Sequence, residues 1–184
     1  SAVTGAGIGI PVGTAYQVLR SLDLGAGDTL LLHAGSGSVG QAAIQFARLW
    51  GATVIATASE RRFDRVRELG ATPVAYGPGL LERVREAAPQ GITVAFDAAG
   101  TDEALETSLD LVADRNRIGT IVRGRDASEY GMRAFGGGSS VPLAETELAW
   151  RAEAFPVTMA LLAAGVFSIE AGPSFALEDA AEAH

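Results

Sequence analysis

Thr29-Leu30-Leu31-Leu32-His33-Ala34-Gly35-Ser36-Gly37-Ser38-Val39-Gly40 is the stretch on which the fold turns. Its first half is a short apolar run, the pattern of a strand buried on both faces. Its second half, Gly35 to Gly40, has the spacing G-x-G-x-x-G. Apolar residues then recur at helical spacing, at Val39, Ala43, Phe46, Ala47 and Trp50, until Gly51. With 23 glycines in the chain the spacing alone says little. Strand, glycine turn and helix in immediate succession give it meaning. In that reading Gly35 permits the tight turn, Gly37 lets the backbone approach a pyrophosphate, and Gly40 lets the helix pack close to the strands. Ser36, Ser38 and Val39 fill the positions between. The free amides of the first helical turn, at the positive end of the helix dipole, then bind phosphates. A plain glycine-rich turn of some other α/β fold is the competing reading.

Outward from the turn, strand-like and helix-like segments alternate. Helices are expected at 12–22 (opened by Pro11), 39–50, 62–69 (stopped by Gly70), 80–88 (stopped by Pro89) and from Asp102, as N-cap, to about 112. Strands are expected at 29–34, 53–58, 74–76, 93–97 and 118–122. The alternation predicts an α/β fold: a Rossmann-type, doubly wound parallel sheet of about six strands with helices on both faces. All of 1–184 is expected to form a single dinucleotide-binding domain. It comprises a lead-in helix at 12–22, a core at 28–122, and a glycine-rich loop with a short sixth, edge strand at 132–135 within 123–142. A helix at 144–164, bent near Pro156, and a tail complete it. The tail, from 166 on, shows one strand-like piece and the start of a helix.

Composition narrows the function. A chain of 184 residues, 48% hydrophobic, buries one good core. A net charge of −8 argues against nucleic acid, which wants a basic face, but not against a small phosphorylated ligand. There is no Cys and there are two His, so the chain cannot build a zinc site of the usual Cys/His kind or a disulfide. No leader pattern stands at the N-terminus, and apolar runs are broken well short of a membrane span, so a cytoplasmic location is expected. All 14 basic residues are Arg. Without Lys there is no Walker A loop. Tyr130 lacks the Lys four positions on that a short-chain dehydrogenase needs.

The second strand should say which dinucleotide binds. An NAD site ordinarily ends that strand with a carboxylate for the ribose hydroxyls, about 20 residues past the turn. Here the strand ends Thr57-Ala58-Ser59, and Arg61 and Arg62 follow. The missing carboxylate removes the repulsion a 2′-phosphate would meet, Ser59 leaves room and donates a hydrogen bond, and an Arg fork supplies counter-charge. NADPH is therefore preferred to NADH. Two readings compete: the arginines are solvated helix-start residues, or Glu60 fills the acidic role one step late. A methyltransferase binding S-adenosylmethionine also uses a glycine turn, but usually with an acidic residue ending the second strand, which this chain lacks.

Several motifs, in order, carry a resemblance. Ala34-Gly35-Ser36-Gly37-Ser38-Val39-Gly40 fits an A-x-x-G-x-x-G turn preceded by His, here His33. Thr14-Ala15-Tyr16, Glu68-Leu69-Gly70-Ala71, Phe96-Asp97-Ala98-Ala99-Gly100 and Asp179-Ala180-Ala181-Glu182-Ala183-His184 fit further segments. Together they resemble the medium-chain dehydrogenase/reductase superfamily, and within it the zinc-independent quinone oxidoreductase branch.

The resemblance implies NADPH as cofactor and hydride transfer to a quinone or α,β-unsaturated carbonyl. It implies that Ser59, Arg61 or Arg62, and Tyr76 surround the adenosine ribose and 2′-phosphate. Asp97 to Gly100, including Ala99, and Gly119-Thr120 would face the cofactor from strand ends, and Phe135-Gly136-Gly137 would run beside the nicotinamide. Tyr76 equally suits a half-buried sheet position, Asp97 suits a turn carboxylate better than a catalytic one, and His33 suits a satisfied core histidine. No catalytic residue is assigned. Members carry an N-terminal barrel-like catalytic domain and a final strand and helix, and this chain is expected to lack both. It would then hold cofactor while sharing its small-molecule substrate with the missing domain, and would turn over little by itself. A homodimer through the edge strand at 132–135 is also expected. The alternatives are an enoyl reductase or alcohol dehydrogenase of the same superfamily, including a polyketide synthase module, and a non-catalytic NADPH-sensing or interaction module.

Overall fold

The computed structural model describes residues 7–136, 139, 141–172 and 175–179. The chain enters through helix α1 (Gly9–Ser21), with Pro11 in its first turn, where a missing amide hydrogen costs nothing. Then follow β1 (Thr29–His33), α2 (Ser38–Leu49), β2 (Thr53–Ala58), α3 (Phe63–Glu68), β3 (Thr72–Ala75), α4 (Leu80–Ala87), β4 (Val94–Asp97), α5 (Asp102–Leu111), β5 (Ile118–Thr120), α6 (Gly124–Ala127), β6 (Arg133–Ala134) and α7 (Glu145–Ala163). The six strands form one sheet in the order β3-β2-β1-β4-β5-β6, and every pairing is parallel. This is the doubly wound α/β architecture that the alternation predicts.

Side chains of successive strand residues point to opposite faces, and two cores result. Leu30, Leu32, Val54, Ala56, Val94 and Phe96 join the core shared with α1, α2 and α3. Leu31, Ile55 and Ala95 join the second core, with Leu80 and Val84 of α4 and Leu105 of α5. All five residues of β1 are buried, which is why that strand reads as an unbroken apolar run. On the first face Phe46 is fully buried, with the Tyr16, Phe167 and Trp50 rings 5.1, 5.0 and 5.8 Å away.

Local chemistry accounts for the departures from expectation. Thr101, not Asp102, caps α5: its hydroxyl accepts the Ala104 amide at 3.2 Å, and Asp102 is the first helical residue. β5 stops at Thr120 rather than at 122 because the Thr120 hydroxyl takes up the amides of Val122 and Arg123, at 3.1 and 3.0 Å. β3 likewise ends before Tyr76. The glycine-rich loop holds an unforeseen helical turn, α6, bridged by Arg123 and Asp126. α7 runs through Pro156 as the single helix expected over this stretch. The expected strand after it does not form among the described residues. Instead Ser168 pairs its backbone with the side-chain amide of Gln45, which donates to the Ser168 carbonyl at 3.0 Å and accepts from its amide at 2.7 Å. The helix start expected in the tail is a short 3-10 turn, Leu177–Asp179. Residues 180–184 of the last quoted motif, and Gly137, lie outside the described residues.

Candidate functional site: the glycine turn and its two clefts

Strand order reverses between β1 and β4, where connections leave to opposite sides, and ligands of open parallel sheets bind in the crevice at that point. The glycine turn stands there. Ala34 bends the chain, at φ +60°, so the left-handed residue of the turn is Ala34, ahead of the glycine expected to permit the turn. The turn is tied to β2 by the Ala34 amide on the Thr57 hydroxyl, 3.1 Å, and the Gly35 amide on the Thr57 carbonyl, 2.8 Å. Gly35 is required for another reason: a Cβ there would lie 2.6 Å from the Cβ of Ala56. At Gly40 a Cβ would lie 2.3 Å from the Ala34 carbonyl oxygen and 2.7 Å from the Gly35 Cα, so this glycine lets α2 press against the end of β1.

Gly37 differs from both. A Cβ there would meet only the Ala34 oxygen, at 3.4 Å, an ordinary contact. Its backbone, φ −75° and ψ 168°, suits any residue. The protein's own packing therefore does not demand glycine at 37, and the space above it faces outward. Gly37 is the N-cap of α2 and offers no side-chain cap, so the first-turn amides, at Ser38, Val39 and Gly40, have no partner within the helix.

Two clefts flank the turn. The larger, about 790 Å³, is walled by Ser36, Thr57, Ser59, Arg61, Tyr76 and Ala99. The smaller, about 510 Å³, is walled by Gly37, Ser38, Gln41 and residues 167–172. Ser36 and Arg62 line both. The structure thus gathers Ser36, Ser59, Arg61, Arg62, Tyr76 and Ala99 around one opening, and Gly37 and Ser38 around the other. Tyr76 is 61% exposed, so its ring is a wall of the cleft rather than a sheet side chain.

Other expected residues lie elsewhere. Gly35 and Gly40 are buried backbone, and Val39 packs half-buried on the core. Gly100 borders a separate depression with Val122 and Arg123. Gly119 is buried, and a Cβ there would meet Phe135 at 2.9 Å. Phe135 is itself buried in the core. Gly136 follows it at φ +89°. Thr120 is buried with its hydroxyl donated to Asp97 Oδ2 at 2.9 Å. Asp97 spends its other oxygen on the amides of Ala99 and Gly100, at 2.9 and 2.8 Å, which is the work of a turn carboxylate. His33 pairs in register with Asp97 across β1 and β4, and its Nε2 lies 3.1 Å from the Ser108 hydroxyl. Burial pushes His33 down to about 4 against the opposing pull of Asp97, so the ring is neutral near pH 7. It is a core histidine.

Thr57, Gln41 and Glu170 were not foreseen, nor was Glu103, which lines the larger cleft and accepts the Gly77 amide at 2.8 Å. Gln41 and Gln45 carried a signal, as polar residues on the buried side of α2. Glu170 carried none, standing 129 positions from the Gln41 it touches.

A family model described as zinc-binding dehydrogenase matches residues 38–136. The spectinabilin polyketide synthase system protein NorB of Streptomyces orinoci is 39% identical over 109 residues, covering 57% of this chain and 5% of that protein. The quinone oxidoreductase of Pseudomonas syringae pv. Tomato DC3000 superposes with a TM-score of 0.76 at 25% identity, over 100% of this chain and 60% of that one. The JamJ enoyl reductase, in its apo form, gives a TM-score of 0.79 at 26% identity, over 100% of this chain and 58% of that one. The chain therefore spans about three fifths of these solved relatives and a small fraction of the synthase.

Two expectations follow from the geometry. Gly40→Ala drives a methyl into backbone and should cost about 3 kcal/mol or more of unfolding free energy in urea, whereas Gly37→Ala should cost under about 1 kcal/mol. Similar costs would contradict the assignment of packing to the one and open space to the other. His33, neutral when folded, takes up a proton on unfolding below its ordinary value of 6.5. Its contribution is complete above that pH and lost as pH falls toward 4. Between pH 7 and 5 the wild type should lose about 1–2 kcal/mol more stability than His33→Gln. Parallel pH profiles would contradict a neutral His33.

Proposed function

The chain belongs to the zinc-binding dehydrogenase family of the medium-chain dehydrogenase/reductase superfamily, and from that premise we propose that it is the NADPH-binding domain of an oxidoreductase. The observation that carries the cofactor reading is Gly37: the protein's own atoms leave room for a side chain there, directly over unpartnered amides. The residues present fit a dinucleotide. Ser36, Gly37 and Ser38 would hold the diphosphate on the N-terminus of α2. Ser59, Arg61 and Tyr76, around the larger cleft, would hold the adenosine ribose and its 2′-phosphate. Arg61 is exposed, and among the described residues none of the ion pairs uses it, so it is free to face a phosphate.

When bound, the nicotinamide supplies a hydride, and the proposed acceptor is a carbon–carbon double bond conjugated to a carbonyl. A quinone and an enoyl thioester both present that group, and relatives named for each occur. The chain's own residues bind and orient. Asp97 and His33 are committed to the fold, and no acid or base of this chain is assigned to the reaction. The proposed chemistry is zinc-independent, as in the branch that the glycine turn and its flanking motifs resemble. Most substrate contacts would come from a catalytic domain outside this chain, and the chain alone should turn over little. No helix among the described residues is long and apolar enough to cross a membrane. β6, an edge strand paired only to β5, offers its free side to a twin.

Titration calorimetry with NADPH and NADH tests the cofactor. Arg61→Ala, and the double variant with Arg62→Ala, should weaken NADPH by about 1–3 kcal/mol and leave NADH nearly unchanged. Equal weakening of both would return the arginines to the solvated surface. Equilibrium sedimentation at micromolar concentration should give twice the chain mass, and Ala134→Pro, on the exposed edge, should halve it. A monomer in the wild type would remove the dimer.

A further inference from the structure

Arg62 already holds an anion, and it belongs to the protein. Its Nη1 donates to Glu170 Oε1 at 3.0 Å and its Nη2 to Oε2. Gln41 Nε2 donates to the same Oε2 and, at 3.0 Å, to the carbonyl of Ser36. The Glu170 carboxylate therefore stands one side chain away from the phosphate turn. Hydrogen bonds from Arg62, and then from Gln41, hold it down to about 2, so it is charged at neutral pH.

The segment that delivers Glu170 is anchored through Phe167, Ser168 and Ile169. Phe167 is 5% exposed and packs on Phe46, and the Ser168 backbone is held by Gln45. Ile169 packs half-buried on the same core, and with residues 170–172 it lines the wall of the smaller cleft beside Ser36, Gly37 and Ser38. Among the described residues their one ionic tie is Arg62–Glu170, with side chains 34% and 38% exposed. A pair of that exposure is the weak, exchangeable kind.

We propose that Glu170 is a latch on cofactor binding: its carboxylate takes, on Arg62 and beside the first turn of α2, the position of a cofactor phosphate. The inference rests on the cofactor reading above. A diphosphate on Ser36–Ser38 would meet this carboxylate as a like charge across the smaller cleft, where partial burial weakens screening. Binding therefore exchanges Glu170 for phosphate on Arg62 and frees residues 170–172, while Phe167, Ser168 and Ile169 stay docked. Arg62 lines both clefts and is placed to follow the incoming phosphates. The cost of release lowers the apparent affinity by the fraction of molecules in which the latch is open.

Calorimetric titration of NADPH into wild type, Glu170→Gln and Glu170→Ala tests this, with circular dichroism melts to show that each variant is folded. Both variants should bind NADPH roughly three- to tenfold more tightly than wild type. An ion pair that merely holds Arg62 in place for the cofactor predicts the opposite, and unchanged or weaker binding by folded variants overturns the latch. Wild-type binding with no gain in either variant removes the latch and leaves the cofactor reading standing. Binding by the variants alone would support both. No binding by any of the three would remove the cofactor reading and the latch together.

Discussion

The close approach of α2 to the end of β1 organises everything around it. Gly40 lies so near the Ala34 carbonyl that no side chain fits, and Gly35 does the same against Ala56 of β2. Those two contacts pull the helix N-terminus down onto the sheet at the point where strand order reverses. The first-turn amides then face the crevice and not another element. Thr57 completes the arrangement by holding the amides of both Ala34 and Gly35. The glycines thus divide their work: 35 and 40 serve the protein's own packing, and 37 leaves space for something else.

Charge is distributed in keeping with this. The chain is acidic overall, yet Arg61 and Arg62 gather beside the turn, and the end of β2 carries no carboxylate. Two carboxylates approach from elsewhere: Glu103 of α5 lines the larger cleft and accepts the Gly77 amide at 2.8 Å, and Glu170 arrives from a segment far along the chain. At the end of β4 the local acid is spent: Asp97 answers two turn amides and the Thr120 hydroxyl, and the buried His33 stays neutral. In the proposed function this site binds an anionic ligand and places it, and neither Asp97 nor His33 moves a proton.

The sheet, its parallel sense and the turn were legible in the sequence because they rest on local signals. A strand buried on both faces is apolar throughout, and a helix with one buried stripe shows its period. Boundaries set by a single hydroxyl were not legible. Thr120 ends β5 and Thr101 caps α5, and neither outcome is visible without knowing which amide lies within reach. The role of Gly35 was misplaced for the same reason: the sequence shows a glycine at a turn, but only the neighbouring strand shows that Ala56 needs the room. Ser59 and Arg61 could be singled out at the end of the second strand, whereas Tyr76 joined them only through the family resemblance. Glu170 could not, because its place depends on Gln45 holding a segment that never becomes a strand.

Backbone amide chemical shifts, followed by ¹H–¹⁵N spectroscopy while NADPH is titrated into the chain, bear most directly on the premise that phosphates sit on the first turn of α2. The amides of Ser38, Val39 and Gly40 should move downfield together and saturate with the calorimetric affinity, as hydrogen bonds to a bound anion require. Saturation with those three signals unmoved and the shifts clustered elsewhere would place the diphosphate off the turn and contradict the site built here.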